Sequence, residues 1–365
     1  MPDSPHFGLL TGGGDCPGLN AVIRSVTKTL MLRHGARVTG FDDGFQGLIE
    51  QRCRELNYRD VSGILTRGGT ILGSSNKANP TDHNGRDVSA EVVAYAKSLG
   101  IQGLIAIGGD GTMSIAHELE QHGLPVVGVP KTIDNDIVGT DRTFGFDTAV
   151  MIASEAIDRL HSTAQSHQRV MIIETMGRYT GWIALHAGVA SGADIILIPE
   201  VEYNLSEVAH VCEARAKGGQ RFTIIAIAEG ARPEGGSLSV QRVVADSPDP
   251  IRLGGAGQLL ASSLESMLDS EVRATILGHV QRGGTPTAFD RVLSTEYGVR
   301  AADLAAAGTF GVMVALQKGS ITTVPLAEVA QKTRTVPPDE LLVHAALSVG
   351  TSFGATQEPW NQVVV

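Results

Sequence analysis

The chain is poor in cysteine, in aromatic residues and in long apolar stretches, and each shortage removes a class of protein. Its three cysteines, Cys16, Cys53 and Cys212, are odd in number and far apart. They offer neither a disulfide framework nor the paired spacing of a zinc site, and they fit a reducing cytoplasm. Aromatic residues make up 4% of the chain, so the core must be mostly aliphatic. No apolar run approaches the roughly 20 residues that a membrane helix needs. Residues 1–6 lack the basic segment and following apolar stretch of a secretory signal. Positive charge is short as well: 29 lysines and arginines stand against 39 acids, a formal net charge of -10. That balance disfavours nucleic acid and anionic membranes as partners, and an anionic substrate would need basic residues gathered locally. With 365 residues the chain can bury a large core, and two domains are expected.

Glycine, by contrast, is abundant. The 44 glycines gather after short apolar runs rather than in a linker. Phe7-Gly8-Leu9-Leu10 reads as a first strand, and Thr11-Gly12-Gly13-Gly14-Asp15-Cys16-Pro17-Gly18 as the loop after it. Leu19, Val22, Ile23, Val26 and Leu30 then recur at helical spacing. The unit is strand, glycine loop, helix, and a helix N-terminus favours an anion. Residues 38–41 predict a second strand and 87–99 a helix. Strands at 104–107 and 126–129 bracket a helix near 113–121, and apolar runs at 170–173, 195–198, 222–228 and 275–277 predict four more strands. Alternating strands and helices imply an α/β protein with parallel sheets.

Two loops after apolar runs combine glycine or turn residues with acids. Gly108-Gly109-Asp110-Gly111-Thr112 follows Leu104-Ile105-Ala106-Ile107, and Pro130-Lys131-Thr132-Ile133-Asp134-Asn135-Asp136 follows Val126-Val127-Gly128-Val129. Ligands of parallel sheets bind just beyond the carboxyl ends of the strands. There, glycine lets backbone amides approach an anion, and a carboxylate can hold a metal ion or accept a proton. Each loop has a plainer reading. The loop at 11–18, which matches neither a Walker P-loop nor a dinucleotide fingerprint, reads equally as a tight turn. Asp110 could sit in a simple turn, and Asp134 and Asp136 in Asx-turns. Arg178, in Glu174-Thr175-Met176-Gly177-Arg178, either binds phosphate or pairs with Glu174. Arg273, His279 and Arg282 bracket the run at 274–278 and, with Arg169 and Arg178, form a cationic set large enough for a phosphomonoester. Cys16 has no sequence-local histidine to activate it and reads as a packed small residue.

In this order, segments 11–20, 68–73, 108–112, 130–136, 145–148, 176–178, 229–230 and 277–284 resemble the ATP- and pyrophosphate-dependent 6-phosphofructokinase family. The resemblance spans about residues 6–300. It implies two doubly wound three-layer α/β/α lobes with the active site in the cleft between them. The donor lobe would comprise residues 1–145 plus about 281–331, and the sugar-phosphate lobe about 146–280 plus 332–365. It implies ATP-dependent phosphorylation of fructose 6-phosphate with magnesium, in the cytoplasm, by a homo-oligomer, typically a tetramer built from dimers. The alternatives are a pyrophosphate-dependent phosphotransferase and a non-catalytic sugar-phosphate-sensing subunit. Carried over residue by residue, Asp134 is the general base for the sugar 1-hydroxyl, supported by Asp136, with Thr132 touching the sugar or the transferring phosphoryl. Asp110 is the magnesium-linked carboxylate. Gly14, Gly111 and Thr112 belong to the phosphate-binding loops, and Phe45 matches an aromatic position that stacks on the purine. Met176, Gly177, Arg178 and Glu229 hold the fructose ring, and His279 and Arg282 the 6-phosphate. Arg169 and Arg273 reach that phosphate from an adjacent subunit.

The donor loops depart from the best-known patterns. Pyrophosphate users usually carry aspartate where Gly111 stands, crowding and repelling a nucleotide's α-phosphate, so Gly111 favours ATP. Lys131 stands where pyrophosphate enzymes have lysine, a mixed code found in one ATP-using branch. Asn76 replaces a phosphate-bridging arginine, and Lys77 or Lys131 is expected to supply the charge. Arg24 and Lys28 match basic positions of an allosteric effector site or are ordinary helix charges, and a third basic position of that site falls at Tyr58, with Arg59 alongside. The resemblance predicts that Asp134→Ser lowers turnover by roughly 100- to 10,000-fold, with a much smaller change in fructose 6-phosphate binding. Steady-state kinetics and calorimetry on the folded variant check this, and near-normal turnover would remove Asp134 as the base.

Overall fold

The computed structural model describes residues 4–243 and 251–361. Residues 1–3, which include part of the segment read for a secretory signal, lie outside the described residues, as do the last four of the 332–365 segment. The chain divides into two compact units. One holds the described residues up to Thr148 together with Arg282–Thr333, and the other holds those from Ala149 to Gln281 and from Arg334 on.

In the first unit, β1 (His6–Thr11), α1 (Leu19–His34), β2 (Arg37–Phe41), α2 (Phe45–Ile49), β3 (Cys53–Leu56), α3 (Ser89–Ser98), β4 (Gly103–Gly108), α4 (Asp110–Gln121), β5 (Val126–Thr132) and β6 (Phe144–Gly145) follow in order. The helix α5 (Phe146–His167) opens the second unit, which adds β7 (Val170–Thr175), α6 (Trp182–Ala190), β8 (Ile195–Leu197), α7 (Leu205–Lys217), β9 (Thr223–Ala228), β10 (Val240–Val243), β11 (Ile251–Leu253), α8 (Ala256–Glu265) and β12 (Val272–Ile276). A one-turn 3-10 helix, Gly278–Arg282, precedes α9 (Ala288–Ala306), β13 (Val312–Gln317), β14 (Ser320–Pro325) and α10 (Leu326–Val329) of the first unit, and α11 (Leu341–Ser348) belongs to the second.

The first sheet runs β14-β13-β5-β4-β1-β2-β3, with β6 beside β5. β1 and β4 are buried along their whole length, which is why they read as unbroken apolar runs. They pair in parallel, Leu10 opposite Ala106 and Thr11 opposite Ile107. From β1 the chain builds outward to β2, then returns to the other side of β1 to lay β4 and β5. Helix α1 packs on α9 over one face, while α4 lies with α10 over the other. There Val92, Ala96, Met113, Ala116 and Leu119 join Leu10, Leu104 and Val126 in one apolar cluster. The sheet is not purely parallel: β2–β3 and β13–β14 are antiparallel. Those outer strands are half-exposed and polar on one side, so they lack the apolar run that marks a central strand.

The second unit repeats the logic with four strands, β12-β7-β9-β8, all parallel. β7 starts the sheet, β8 and β9 extend it one way, and β12 is added on the other side of β7. Helices α7 and α8 share an apolar cluster with the sheet through Val208, Cys212, Leu260 and Leu264, and α6 packs with α11. Both units are therefore doubly wound three-layer α/β/α bodies. Among the described residues no helix is long and apolar enough to cross a membrane.

The start of α5 is held by an acid distant in sequence. Asp290 is buried and accepts hydrogen bonds from the Thr148 amide at 2.8 Å and the Thr148 hydroxyl at 2.5 Å. Burial pushes its carboxyl up to about 6, against the opposing pull of those bonds. A carboxyl raised in the folded state holds its proton where the unfolded chain has lost it, so its contribution to stability falls as pH rises from about 4 to about 6. Asp290→Asn should therefore gain on the natural protein across that window, by up to about 3 kcal/mol. Urea unfolding at several pH values measures this, and a pH-independent difference would count against it.

Candidate active site

Each sheet reverses its direction of growth at one strand pair, β1 with β4 and β7 with β12, and the loops leaving those pairs carry nine of the nineteen sequence-predicted residues. In the first unit the Gly12 amide donates to the Ile107 carbonyl at 2.8 Å and the Gly13 amide to the Ser75 carbonyl at 3.0 Å. The Ser74 hydroxyl donates to the Gly13 carbonyl, and Thr11 Oγ1 to the Gly73 carbonyl at 2.5 Å. The loops at 11–15, 73–75 and 108–112 thus form one backbone-rich cradle. Asp110, half-buried, is the first residue of α4, with Gly111 exposed beside it and Thr112 buried. A Cβ at Gly111 would meet nothing within 4 Å, so packing does not require glycine there.

Lys131, near the end of β5, is 3% exposed and its Nζ donates to the Gly14 carbonyl. Burial depresses its ammonium, assisted by the Arg282 cation and opposed by Asp134 and Asp15. Arg282 also lies against Gly14, and its Nη1 donates to the Asp15 carbonyl at 2.9 Å. Two cations therefore meet at the first glycine loop, and Arg282 is placed with the donor loop rather than only with His279. Lys77 and Asn76 are exposed, so of the two lysines expected to supply charge it is Lys131 that stands at Gly14. The Cys16 thiol is buried and its pKa is driven far up by desolvation, which leaves it a packed residue. Phe45 is also corrected. Its ring is 2% exposed within the cluster of Phe41 and Leu48, and an aromatic ring packed in the core has no free face for a purine.

The acids of the third loop sit beyond β5, and both are buried. The Asp134 amide is capped by Thr132 Oγ1 at 3.0 Å. Between the acids, Asn135 takes a left-handed conformation, φ 54°, and its Oδ1 accepts from the Thr143 amide at 3.0 Å. Thr143 Oγ1 in turn donates to the Thr132 carbonyl at 2.8 Å. Asn135 is a residue that sequence reasoning missed, although its tolerance of left-handed turns was the available signal.

In the second unit the loop after β7 is fixed by side chains acting on its backbone. Gln281 Oε1 accepts from the Met176 amide at 2.8 Å, and Glu229 Oε1 from the Arg178 amide at 3.1 Å. Gly177 has φ 141°, and a Cβ there would stand 2.5 Å from the Thr180 carbonyl oxygen. Glu174 is committed elsewhere: its carboxylate accepts the Gly255 and Gly257 amides at 3.0 and 2.8 Å, at the N-terminus of α8. His279 is exposed on the 3-10 turn. Arg169 and Arg273 meet on one carboxylate, Glu271, and Arg273 also pairs with Glu265 at 2.9 Å. That cluster lies at the amino ends of β7 and β12, whereas Met176 and His279 lie past their carboxyl ends. A six-residue strand spans about 20 Å, so the second unit does not bring Arg169 and Arg273 to His279. In the first unit, Lys28 Nζ lies 4.0 Å from the Tyr58 ring centroid.

Doubly wound units with glycine and acid loops at their reversal points agree with the outcome of comparison with known proteins. The phosphofructokinase family model matches residues 6–305, and the chain belongs to that family. It is similar to ATP-dependent 6-phosphofructokinase 2 of Clostridium perfringens (strain 13 / Type A), with 50% identity over 363 residues, 97% of this chain and 99% of that one. It is also similar to pyrophosphate–fructose 6-phosphate 1-phosphotransferase of Amycolatopsis methanolica, with 50% identity over 334 residues, 92% of this chain and 97% of that one. Among solved structures, phosphofructokinase from Saccharomyces cerevisiae aligns with a TM-score of 0.77 at 29% identity, over 95% of this chain and 46% of the yeast chain, so the present chain spans under half of that protein.

The loop after β7 gives a direct test. Gly177→Ala forces a Cβ toward the Thr180 carbonyl at a backbone conformation costly for other residues, and should raise the KM for fructose 6-phosphate by roughly tenfold or more. Steady-state kinetics should find the KM for the phosphoryl donor nearly unchanged, and an equal rise in both would separate this loop from the sugar.

Proposed function

We propose that this chain is a 6-phosphofructokinase that uses ATP to phosphorylate the 1-hydroxyl of fructose 6-phosphate, in the cytoplasm and in glycolysis. The observation that carries the donor choice is Gly111, exposed, with open space where a side chain would project. Percentage identity alone does not choose the donor, because the Clostridium and Amycolatopsis relatives are each 50% identical, over 363 and 334 residues, and are named for different donors. Lys131 favours the pyrophosphate reading, since a buried ammonium at Gly14 suits a compact anion. Against it, glycine at 111 adds neither charge nor bulk toward an α-phosphate, and a Cβ there would meet nothing within 4 Å among the described residues.

In this reading the amides of the loops at 11–15 and 108–112, with Lys131, bind the donor phosphates. Asp134 accepts the proton of the attacking hydroxyl, Asp136 supports it, and Thr132 contacts the reacting groups. Met176, Gly177, Arg178 and Glu229 hold the ring, and His279 and Arg282 hold the 6-phosphate. Positioning and charge neutralisation dominate phosphoryl transfer, which suits loops whose backbones are held from several sides. Among the described residues no three acids, histidines or cysteines form a metal cage. Asp110, half-buried at the cradle, fits a magnesium ion held mainly by phosphate oxygens and water through one protein carboxylate. When bound, that ion neutralises donor oxygens.

The separation of Arg169 and Arg273 from His279 supports a homo-oligomer, a tetramer built from dimers, in which those arginines serve a neighbour's 6-phosphate. The deciding experiment supplies fructose 6-phosphate and magnesium with either ATP or pyrophosphate. ATP should support the faster reaction at saturation, and Gly111→Asp should lose most ATP activity. At about 4 Å and an effective dielectric near 20, the added carboxylate and the α-phosphate repel by roughly 4 kcal/mol before screening. Faster turnover of the natural protein with pyrophosphate would overturn the donor assignment.

A further inference from the structure

We propose that Gln281 is a positioning residue that locks the loop after β7 to the turn after β12. The residues proposed for the sugar ring and His279, one of the two proposed for its phosphate, then recognise one molecule as a unit. The inference rests on the functional reading above and adds to it a residue with no assigned role.

β7 and β12 pair in a parallel ladder. Val170 donates its amide to the Glu271 carbonyl at 3.0 Å, and at the far end Leu277 donates to the Glu174 carbonyl at 3.0 Å. In a parallel ladder the bonds alternate between strands every two residues, so the next rung is the Met176 amide to the Leu277 carbonyl. That rung is replaced. After Leu277 the chain turns away at Gly278, φ 51°, into the 3-10 turn. The Met176 amide instead finds the side-chain oxygen of Gln281 at 2.8 Å. Gln281 thus acts as a surrogate backbone carbonyl, extending the sheet by one bond where the main chain has left it.

The consequence is geometric. Gln281 shares its single helical turn with His279 and immediately precedes Arg282, while the amide it holds opens Met176-Gly177-Arg178. A rigid side chain therefore sets the distance between the ring-binding loop and the phosphate-binding turn. Gln281 is 0% exposed. Because a backbone N–H can donate only to Oε1, its amide group points the other way, and Nε2 has no hydrogen-bond partner among the described residues. A buried donor left unmatched is destabilising, and a leucine would fill similar volume without one. Stability alone therefore does not call for glutamine here, whereas the need for an acceptor at Met176 does.

Gln281→Leu removes the acceptor and keeps the bulk. On the full-length protein, calorimetry without donor should show fructose 6-phosphate affinity weakened by roughly tenfold to a hundredfold, with a parallel rise in its KM. The KM for ATP should stay within about twofold, and the melting temperature should not fall. Gln281→Glu keeps an acceptor oxygen but adds a buried charge, so its affinity for fructose 6-phosphate, relative to the natural protein at each pH, should recover as the pH is lowered and the carboxyl takes up a proton. Gln281→Leu should show no such recovery, and a residue that merely fills space would give neither pattern. If Gln281→Leu binds fructose 6-phosphate as the natural protein does, or raises both KM values equally, the proposal is overturned while the kinase reading stands. If the natural protein binds fructose 6-phosphate but does not phosphorylate it, the kinase reading fails, and the binding comparison still decides the role of Gln281.

Discussion

The structure depends on the parallel pairing of β1 with β4 and on the reversal of sheet growth at that pair. Because the chain leaves β1 toward one face and β4 toward the other, with α1 on α9 and α4 on α10, the two following loops diverge and leave a crevice at the strand ends. Backbone amides line such a crevice without any special sequence beyond small residues. The second unit uses the same device at β7 and β12, where the loops carry charged side chains such as Arg178 and His279 instead. The glycine-rich loops follow from where these strands end, and the acids at 134 and 136 from where the neighbouring β5 ends, not from a separate binding module.

Electrostatics are local rather than global. A chain of net charge -10 places one buried lysine and one half-buried arginine on the same glycine loop. Keeping an ammonium buried is costly, and here burial does depress it while Asp134 and Asp15 pull the other way. Carboxylates that would serve the chemistry thus also help keep Lys131 charged. The net negative charge of the chain disfavours anions in general, so attraction for a phosphorylated ligand has to come from locally gathered cations such as these.

Central strands and their loops were legible because burial on both faces writes them as apolar runs, as at 104–107, 126–129 and 170–173. The antiparallel edges were not. β3, with Arg54 and Glu55 exposed, and β14, with half-exposed threonines, carry no such run, and their pairing is decided by the neighbouring strand. Phe45 was carried over by its match to an aromatic position of the family, while its burial depends on Phe41 and on α3, distant in sequence. Asn135 and Gln281 act on backbone amides eight and 105 residues away, and spacing along the chain says nothing about such pairs. Arg282 sits in the recognised segment, yet its contact with the Asp15 carbonyl 267 positions earlier appears only once the chain is folded.

Arg169 and Arg273 converge on Glu271 at one end of the second sheet while His279 lies past the other. No rotamer change crosses about 20 Å, so any phosphate held jointly by these residues is held by two molecules. In the proposed oligomer, sugar-phosphate binding and self-association would be two sides of one equilibrium: each ligand bound would draw subunits together, and each dissociation would weaken the hold on ligand. An enzyme built this way would report its own concentration through its apparent affinity, so that dilution alone would act as an inhibitor.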